Sequence, residues 1–299
     1  HLGGDEAPAS ARLGTAGAGQ PAQADLPAEL GSLIGMSERA ARVPPPSSST
    51  AACDRAGVVL DEALTPVSLT RALEALEESA RYDQQPRAFN TNKNRSFNLD
   101  ESDLVALSAV RRGKVPLVVQ VDRAADIIKV VTAFGSYPAL RLVLASATEA
   151  WKVAPLLKAD NIPVLINVME NLPQNFDRLG ARLDQATLLA EAGVRFAFFS
   201  GSPYSETRSL SQAAGIAVAQ GLSWQQAITA ITAAPAEIWG LKGLGRIEVG
   251  AIADLVIWNG DPLEVTSAPV AVLIDGARVD LETRQDALAK RYVELLNLK

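Results

Sequence analysis

The sequence predicts an α/β fold: a parallel sheet flanked by helices, followed by a small antiparallel segment. Three observations carry that expectation. Short apolar runs alternate with amphipathic stretches across joints of a few residues between Pro116 and Ser200, the pattern of βαβ units. After Leu241 the pattern changes to short apolar runs punctuated by Gly250, Gly260-Asp261-Pro262 and Asp275-Gly276, which signals turns between antiparallel strands. Of the 299 residues 48% are hydrophobic but only 5% aromatic, so the core is built from Ala, Val and Leu, which suit close helix-on-sheet packing.

In chain order, residues 1 to about 52 are rich in Ala, Gly, Pro and Ser, with Pro44-Pro45-Pro46-Ser47-Ser48-Ser49 as the extreme. Such a stretch buries too little apolar surface to offset the entropy of ordering it. The whole of 1–67 is expected to be irregular, with Gly31–Gly35 as a short ordered island. From Ser68, Leu69, Ala72, Leu73 and Leu76 recur at helical spacing with Glu74, Glu77 and Glu78 between them, an amphipathic helix. A second helix runs from Asp100 to Arg112. Strands are expected over Pro116–Val121, Leu140–Ala145, Pro163–Val168 and Val194–Ser200, each a continuous apolar run as in a sheet covered on both faces. Helices are expected over Asp126–Phe134, Glu149–Ala159, Asp184–Ala192, Leu210–Gln220 and Trp224–Ala233, the last with Pro235 just past its end. Beyond them come short strands at Arg246–Glu248, Asp254–Asn259 and Val270–Ile274, then a terminal helix over 283–299. The expected division is 1–67, 68–240, 241–282 and 283–299.

Composition excludes several functions. The net charge is −6, and no Lys/Arg cluster of the kind that binds nucleic acid or anionic membrane occurs. Arg111, Arg112 and Lys114 form the densest basic group and read as a solvated loop. No apolar run is long enough for a membrane-spanning helix. The single cysteine, Cys53, permits no intrachain disulfide, and no basic-then-apolar leader is visible, so a cytoplasmic location is expected; a cleaved leader would leave no trace. The only histidine is His1. A Ser-His-Asp triad, a Cys-His pair and a His-ligated zinc within the fold are therefore all excluded.

Three stretches together resemble a known family. They are Ala233-Ala234-Pro235-Ala236, Gly245-Arg246-Ile247-Glu248-Val249-Gly250 and Ala253-Asp254-Leu255-Val256-Ile257-Trp258. Asp261-Pro262-Leu263 and Asp275-Gly276 continue the match, and Val118-Val119-Gln120-Val121-Asp122-Arg123-Ala124-Ala125-Asp126 extends it upstream. This is similar to the amidohydrolase superfamily, in its imidazolonepropionase- and dihydroorotase-like branch, over residues 68–299. The resemblance implies part of a TIM-like (β/α) barrel with a small C-terminal β-sandwich segment. It implies hydrolysis of non-peptide C–N bonds, with zinc or another divalent metal held by histidines and an aspartate at strand ends. Members begin with sandwich strands and a first barrel strand carrying a His-x-His pair, which is not recognised here, so the chain reads as N-terminally shortened.

The positions that the resemblance assigns to chemistry are altered. Gln120 stands where relatives place a strand histidine, and a carboxamide is a poor zinc ligand. It either binds a polar ligand or fills the former metal site by hydrogen bonding. The strand that often leads to another histidine ends Ala145-Ser146-Ala147-Thr148. Ser202 stands for the expected aspartate and has no histidine to activate it; by alternation Ser200 shares its face. Asp122 is the surviving carboxylate, a candidate ligand or base, with pairing to Arg123 or capping of the next helix as the structural alternative. Asn167 and Asn171 either line the pocket or serve as turn residues. Asp254 reads as structural, and Trp151, Trp239 and Trp258 as packing. The former-site pocket is thus Gln120, Asp122, Thr148, Asn167, Asn171, Ser200 and Ser202, with no bound metal expected. Two readings follow: a silent partner or scaffold subunit in a homo- or hetero-oligomer, with a histidine-bearing paralogue as one candidate partner, or an active hydrolase that uses oxygen ligands or is completed by another chain.

Overall fold

The computed structural model describes residues 58–60, 66–84, 99–199 and 209–297. The expected island at Gly31–Gly35, Cys53, and Ser200 and Ser202 lie outside them. Five parallel strands run in the order of the chain: β1 (Val58–Leu60), β2 (Leu117–Val121), β3 (Leu142–Ser146), β4 (Val164–Ile166) and β5 (Phe196–Phe198). Between and around them lie α1 (Pro66–Gln84), α2 (Glu101–Arg111), α3 (Ala124–Phe134), α4 (Ala154–Ala159) and α5 (Gln185–Glu191). Consecutive strands are neighbours, as short right-handed crossovers favour. Helices α6 (Leu210–Ala219), α7 (Trp224–Ile231) and α8 (Ala233–Trp239) follow. The chain then forms an antiparallel sheet of β6 (Leu255–Trp258), β7 (Pro269–Ile274) and β8 (Ala277–Arg278), and ends in α9 (Arg284–Asn297).

The apolar runs form strands because both faces of the parallel sheet are covered. Leu117, Val119, Val121, Leu144, Val164, Ile166, Phe196 and Phe198 point to the larger core shared with the helices. Val118, Val143, Ala145, Leu165 and Ala197 point the other way, onto Ala234, Ile238 and Trp239 of α8. Register sets the height of each residue: Gln120 lies opposite Ala145, Ala145 opposite Leu165, and Leu165 opposite Ala197. Gln120 therefore belongs to the α8-side face near the C-terminal ends of the strands.

Several expectations change. Val58–Leu60, in the segment read as irregular, pairs with β2; three residues are too short a run to stand out from composition. The helix expected over Trp224–Ala233 spans Trp224–Ile231, and after Thr232 leaves helical geometry an unexpected helix, α8, starts at once with Pro235 as its third residue. Proline is tolerated there, since the first-turn N–H groups lack intrahelical acceptors anyway. Arg246–Glu248 is a turn region rather than a strand, and Arg246 forms an ion pair with Glu237 of α8. Arg111 and Arg112 are not a solvated loop; both pair with Asp83 at the end of α1. Asp83 also accepts from Ser108 Oγ at 2.8 Å, so the clamp joins α1 to α2. Trp239 is buried as expected. Asp254, just before β6, accepts from Asp275 N in the β7–β8 turn at 2.8 Å, a structural task.

The small sheet is fastened to the parallel-sheet layer at two places. Trp224 Nε1 at the start of α7 donates to Asp261 at 3.0 Å, and Gly215 of α6 lies so close to Leu263 that an added Cβ would sit 2.5 Å from the Leu263 carbonyl oxygen. Glycine at this point lets the helix approach the backbone of the loop before β7.

Candidate functional site at the strand ends

Asp122 follows the last residue of β2, and Ser146 ends β3. Ser146 and the next residue, Ala147, both take left-handed backbone conformations, at φ 64° and 45°. Non-glycine residues hold this region only against strain of about 1–3 kcal/mol each. What holds them is visible. Glu149 N donates to the Asp122 carbonyl at 2.8 Å, and the buried Gln185 of α5 donates from Nε2 to the Ala147 carbonyl at 2.7 Å. The turn wraps the Asp122 side chain. Oδ1 accepts from Ser146 Oγ at 2.6 Å, Thr148 Oγ1 at 2.6 Å and Thr148 N at 3.3 Å.

The other carboxylate oxygen faces a cation. Arg178 sits in a short 3-10 turn (Phe176–Arg178) of the loop that joins β4 to α5. Its Nε donates to Asp122 Oδ2 at 3.2 Å, its Nη2 to Ser146 Oγ at 3.2 Å, and its Nη1 to Glu170. Burial alone would lower the Arg178 pKa, but Glu170 and Asp122 outweigh it and raise the pKa, so the guanidinium is a permanent charge. The loop is tied down again where Trp151 Nε1 donates to the Gly180 carbonyl at 3.1 Å, with the Arg182 guanidinium 4.8 Å from the Trp151 ring centroid. Trp151 is thus more than packing; it anchors the loop that delivers Arg178.

Asp122 pairs neither with Arg123 nor with the start of the following helix. Arg123 pairs with Asp126 and Asp177, and Glu149 Oε2 accepts from Ala124 N at the first turn of α3 at 2.9 Å. Burial pushes the Glu149 carboxyl up, but the bond from Ala124 N and the Lys152 ammonium hold it below the ordinary range. Asn167 caps a second 3-10 turn (Val168–Glu170), its Oδ1 accepting from Met169 N at 3.0 Å, and Asn171 stands at the other end of that turn. Both are buried, and among the described residues the Nδ2 of each has no hydrogen-bond partner. Thr148 is buried against Asp122, whereas Gln120 is half-buried one register row below the strand ends.

Sequence reasoning missed Ser146, Glu170 and Arg178. Ser146 could have been suspected as the residue before a strand-end turn. Arg178 lies in a loop without periodicity, and nothing in its neighbourhood marks it.

A model described as "Amidohydrolase family" matches residues 193–280, and the fold matches the crystal structure of an amidohydrolase from Thermotoga maritima MSB8 with a TM-score of 0.66. Over residues 193–280 the chain is similar to the amidohydrolase family. The Thermotoga match is 23% identical and covers 75% of this chain and 62% of that one, and it bears on the fold. Amidohydrolase tasK of Hapsidospora irregularis is 36% identical over 90 residues, which are 30% of this chain and 9% of that relative. The chain thus spans less than two thirds of either relative's length.

The divalent metal that the resemblance implies does not fit the donors among the described residues. Asp122 offers no free face, since its oxygens already accept from Ser146, Thr148 and Arg178. Among the described residues, the other carboxylates near the strand ends, Glu149 and Glu170, are held by Lys152 and Arg178, and the rest are carboxamides and hydroxyls, weak ligands for zinc. Among the described residues no group of three or more His, Cys, Asp or Glu side chains could hold an ion. A guanidinium already lies against the carboxylate where a cation would have to come.

Proposed function

We propose that this chain is a catalytically silent amidohydrolase-fold subunit that serves as a partner or scaffold in a larger assembly. The observation that carries this reading is the Asp122–Arg178 contact, with Ser146 and Thr148 on the same carboxylate. Hydrolysis of a C–N bond by a metal-bound water needs a cation that lowers the water's pKa and a base that takes its proton. Arg178 supplies charge but coordinates no water. Asp122 would have to leave Arg178 and both hydroxyls before it could accept a proton. The only histidine in the chain is His1, so no imidazole lies among the described residues to substitute.

The test combines metal analysis with assay of the purified chain. Dialysis against a weak chelator should leave no stoichiometric zinc, and a panel of cyclic imides and acyl-amino acids should show no metal-dependent turnover. Zinc that survives dialysis, or turnover abolished by Asp122→Asn, overturns the proposal. A histidine-bearing partner that co-purifies with the chain and is active only in its presence would support the assignment to a silent subunit.

A further inference from the structure

We propose that the cavity at the opposite end of the parallel sheet, where β3, β4 and β5 begin, binds a small monocarboxylate between Arg141 and Arg195. The cavity has a volume of about 500 Å³, within the range of small-molecule sites. Arg141 directly precedes Leu142 at the start of β3, and Arg195 directly precedes Phe196 at the start of β5. Alternation puts both on one face. Arg141 shares a face with Val143 and Arg195 with Ala197, and those two residues pack on the α8 side. The strands that carry them flank β4 and so lie about 10 Å apart, and both arginines line the same cavity. Arg195 is exposed and Arg141 half-buried, so the cavity opens to solvent.

Each guanidinium is oriented by a backbone carbonyl and keeps further donors to offer. Arg141 Nη2 donates at 2.6 Å to the carbonyl of Ile238, in the last turn of α8. Arg195 Nη2 donates to the Asn161 carbonyl at 3.3 Å. Among the described residues neither arginine forms an ion pair, whereas Arg178 and Arg246 both face carboxylates. Charge selects the class of ligand. Of the two carboxylates that line the cavity, Glu237 is paired with Arg246, and Asp160 has no ion pair among the described residues. Three guanidiniums therefore stand against two carboxylates, a surplus of one positive charge. A monocarboxylate balances that surplus, and its two oxygens match the planar fork of a guanidinium. Tyr137 and Leu140, both half-buried, line the same space and offer apolar contact to a ring or a short chain.

The inference does not rest on the silent-subunit reading, because Asp122 and its partners lie at the other end of the strands. The probe is sodium benzoate, titrated calorimetrically into the full chain at constant ionic strength, with benzamide as the uncharged match in shape. Saturable binding of benzoate and none of benzamide is expected. Arg195→Gln should weaken benzoate binding by about tenfold or more, the effect of losing a charge-assisted contact. The Arg195 side chain makes a single long bond to the fold, so this variant should fold. Absence of saturation with benzoate, equal binding of benzamide, or an unchanged benzoate affinity in Arg195→Gln overturns the proposal. The comparison of benzoate with benzamide on the unaltered chain decides even where the variant fails to fold. Metal-dependent turnover in the earlier assay would remove the silent reading and leave this result unchanged.

Discussion

At Asp122 one carboxylate accepts from Ser146, Thr148 and Arg178, and its side chain and that of Arg178 are 14% and 15% exposed. Removing the cation leaves Asp122 and Glu170 facing each other without compensation, so Arg178→Met should cost about 1–3 kcal/mol of stability. Urea denaturation of the two proteins checks it, and an unchanged midpoint would mean that the pair is solvent-screened. Gln185→Leu probes the strained turn from behind. Losing the bond to the Ala147 carbonyl should cost about 1–2 kcal/mol, read in the same way. The sequence exposed part of this site. Asp122, Thr148, Asn167 and Asn171 stand next to strands whose apolar runs are unmistakable, so their height in the fold could be inferred. Arg178 could not be found. It acts from a loop whose path depends on Trp151 holding Gly180, a contact across 29 residues that no local pattern encodes.

Between elements, the Asp83 clamp makes a pH prediction. Burial raises the Asp83 pKa, but the Ser108 hydroxyl and the Arg112 and Arg111 guanidiniums outweigh it and hold it below the ordinary carboxylate value. A depressed folded-state pKa contributes stability that is present above the unfolded value and is lost as pH falls through the folded value. The stability gap between wild type and Asp83→Asn should therefore be largest near pH 7 and should shrink below about pH 4. A gap independent of pH would assign it to packing. The α6 contact makes a second prediction. Gly215→Ala should gain up to about 1 kcal/mol from helix propensity, but its Cβ would meet the Leu263 carbonyl oxygen at 2.5 Å. Backbone cannot swing aside as a side chain can, so the clash wins and the variant should be less stable. At this scale the βα alternation was readable because each strand is a continuous apolar run. Helix α8 was not. Pro235 reads as the stop of the preceding helix, yet it sits in the first turn of a new one that begins directly after Thr232, where its missing N–H costs nothing.

For the whole molecule the parallel-sheet layer and the C-terminal segment differ in how they treat apolar surface. Strands β2 to β5 of the parallel sheet bury both faces, whereas Val256, Ile257 and Val270 of the small sheet are about half exposed, at 49%, 52% and 49%. In α9, Leu288, Tyr292 and Leu296 recur every fourth residue and are all exposed, which places them along one stripe of the helix. Among the described residues β6 pairs only with β7, so its other edge offers unpaired backbone groups. It carries no proline, lysine or inward charge of the kind that protects an open edge. Exposed apolar patches beyond a few hundred Å² mark interfaces in soluble proteins. The purified chain is therefore expected to self-associate or to co-purify with a partner, and light scattering at micromolar concentration should report a mass above 31.5 kDa. Ile257→Lys should shift the population toward the monomer, because a lysine on the exposed face of β6 brings charge to the contact without touching the parallel-sheet core. A well-folded monomer for the unaltered chain would remove the assembly from the functional proposal. An oligomer indifferent to Ile257→Lys would instead move the contact to the α9 stripe, where Tyr292→Glu should then dissociate it.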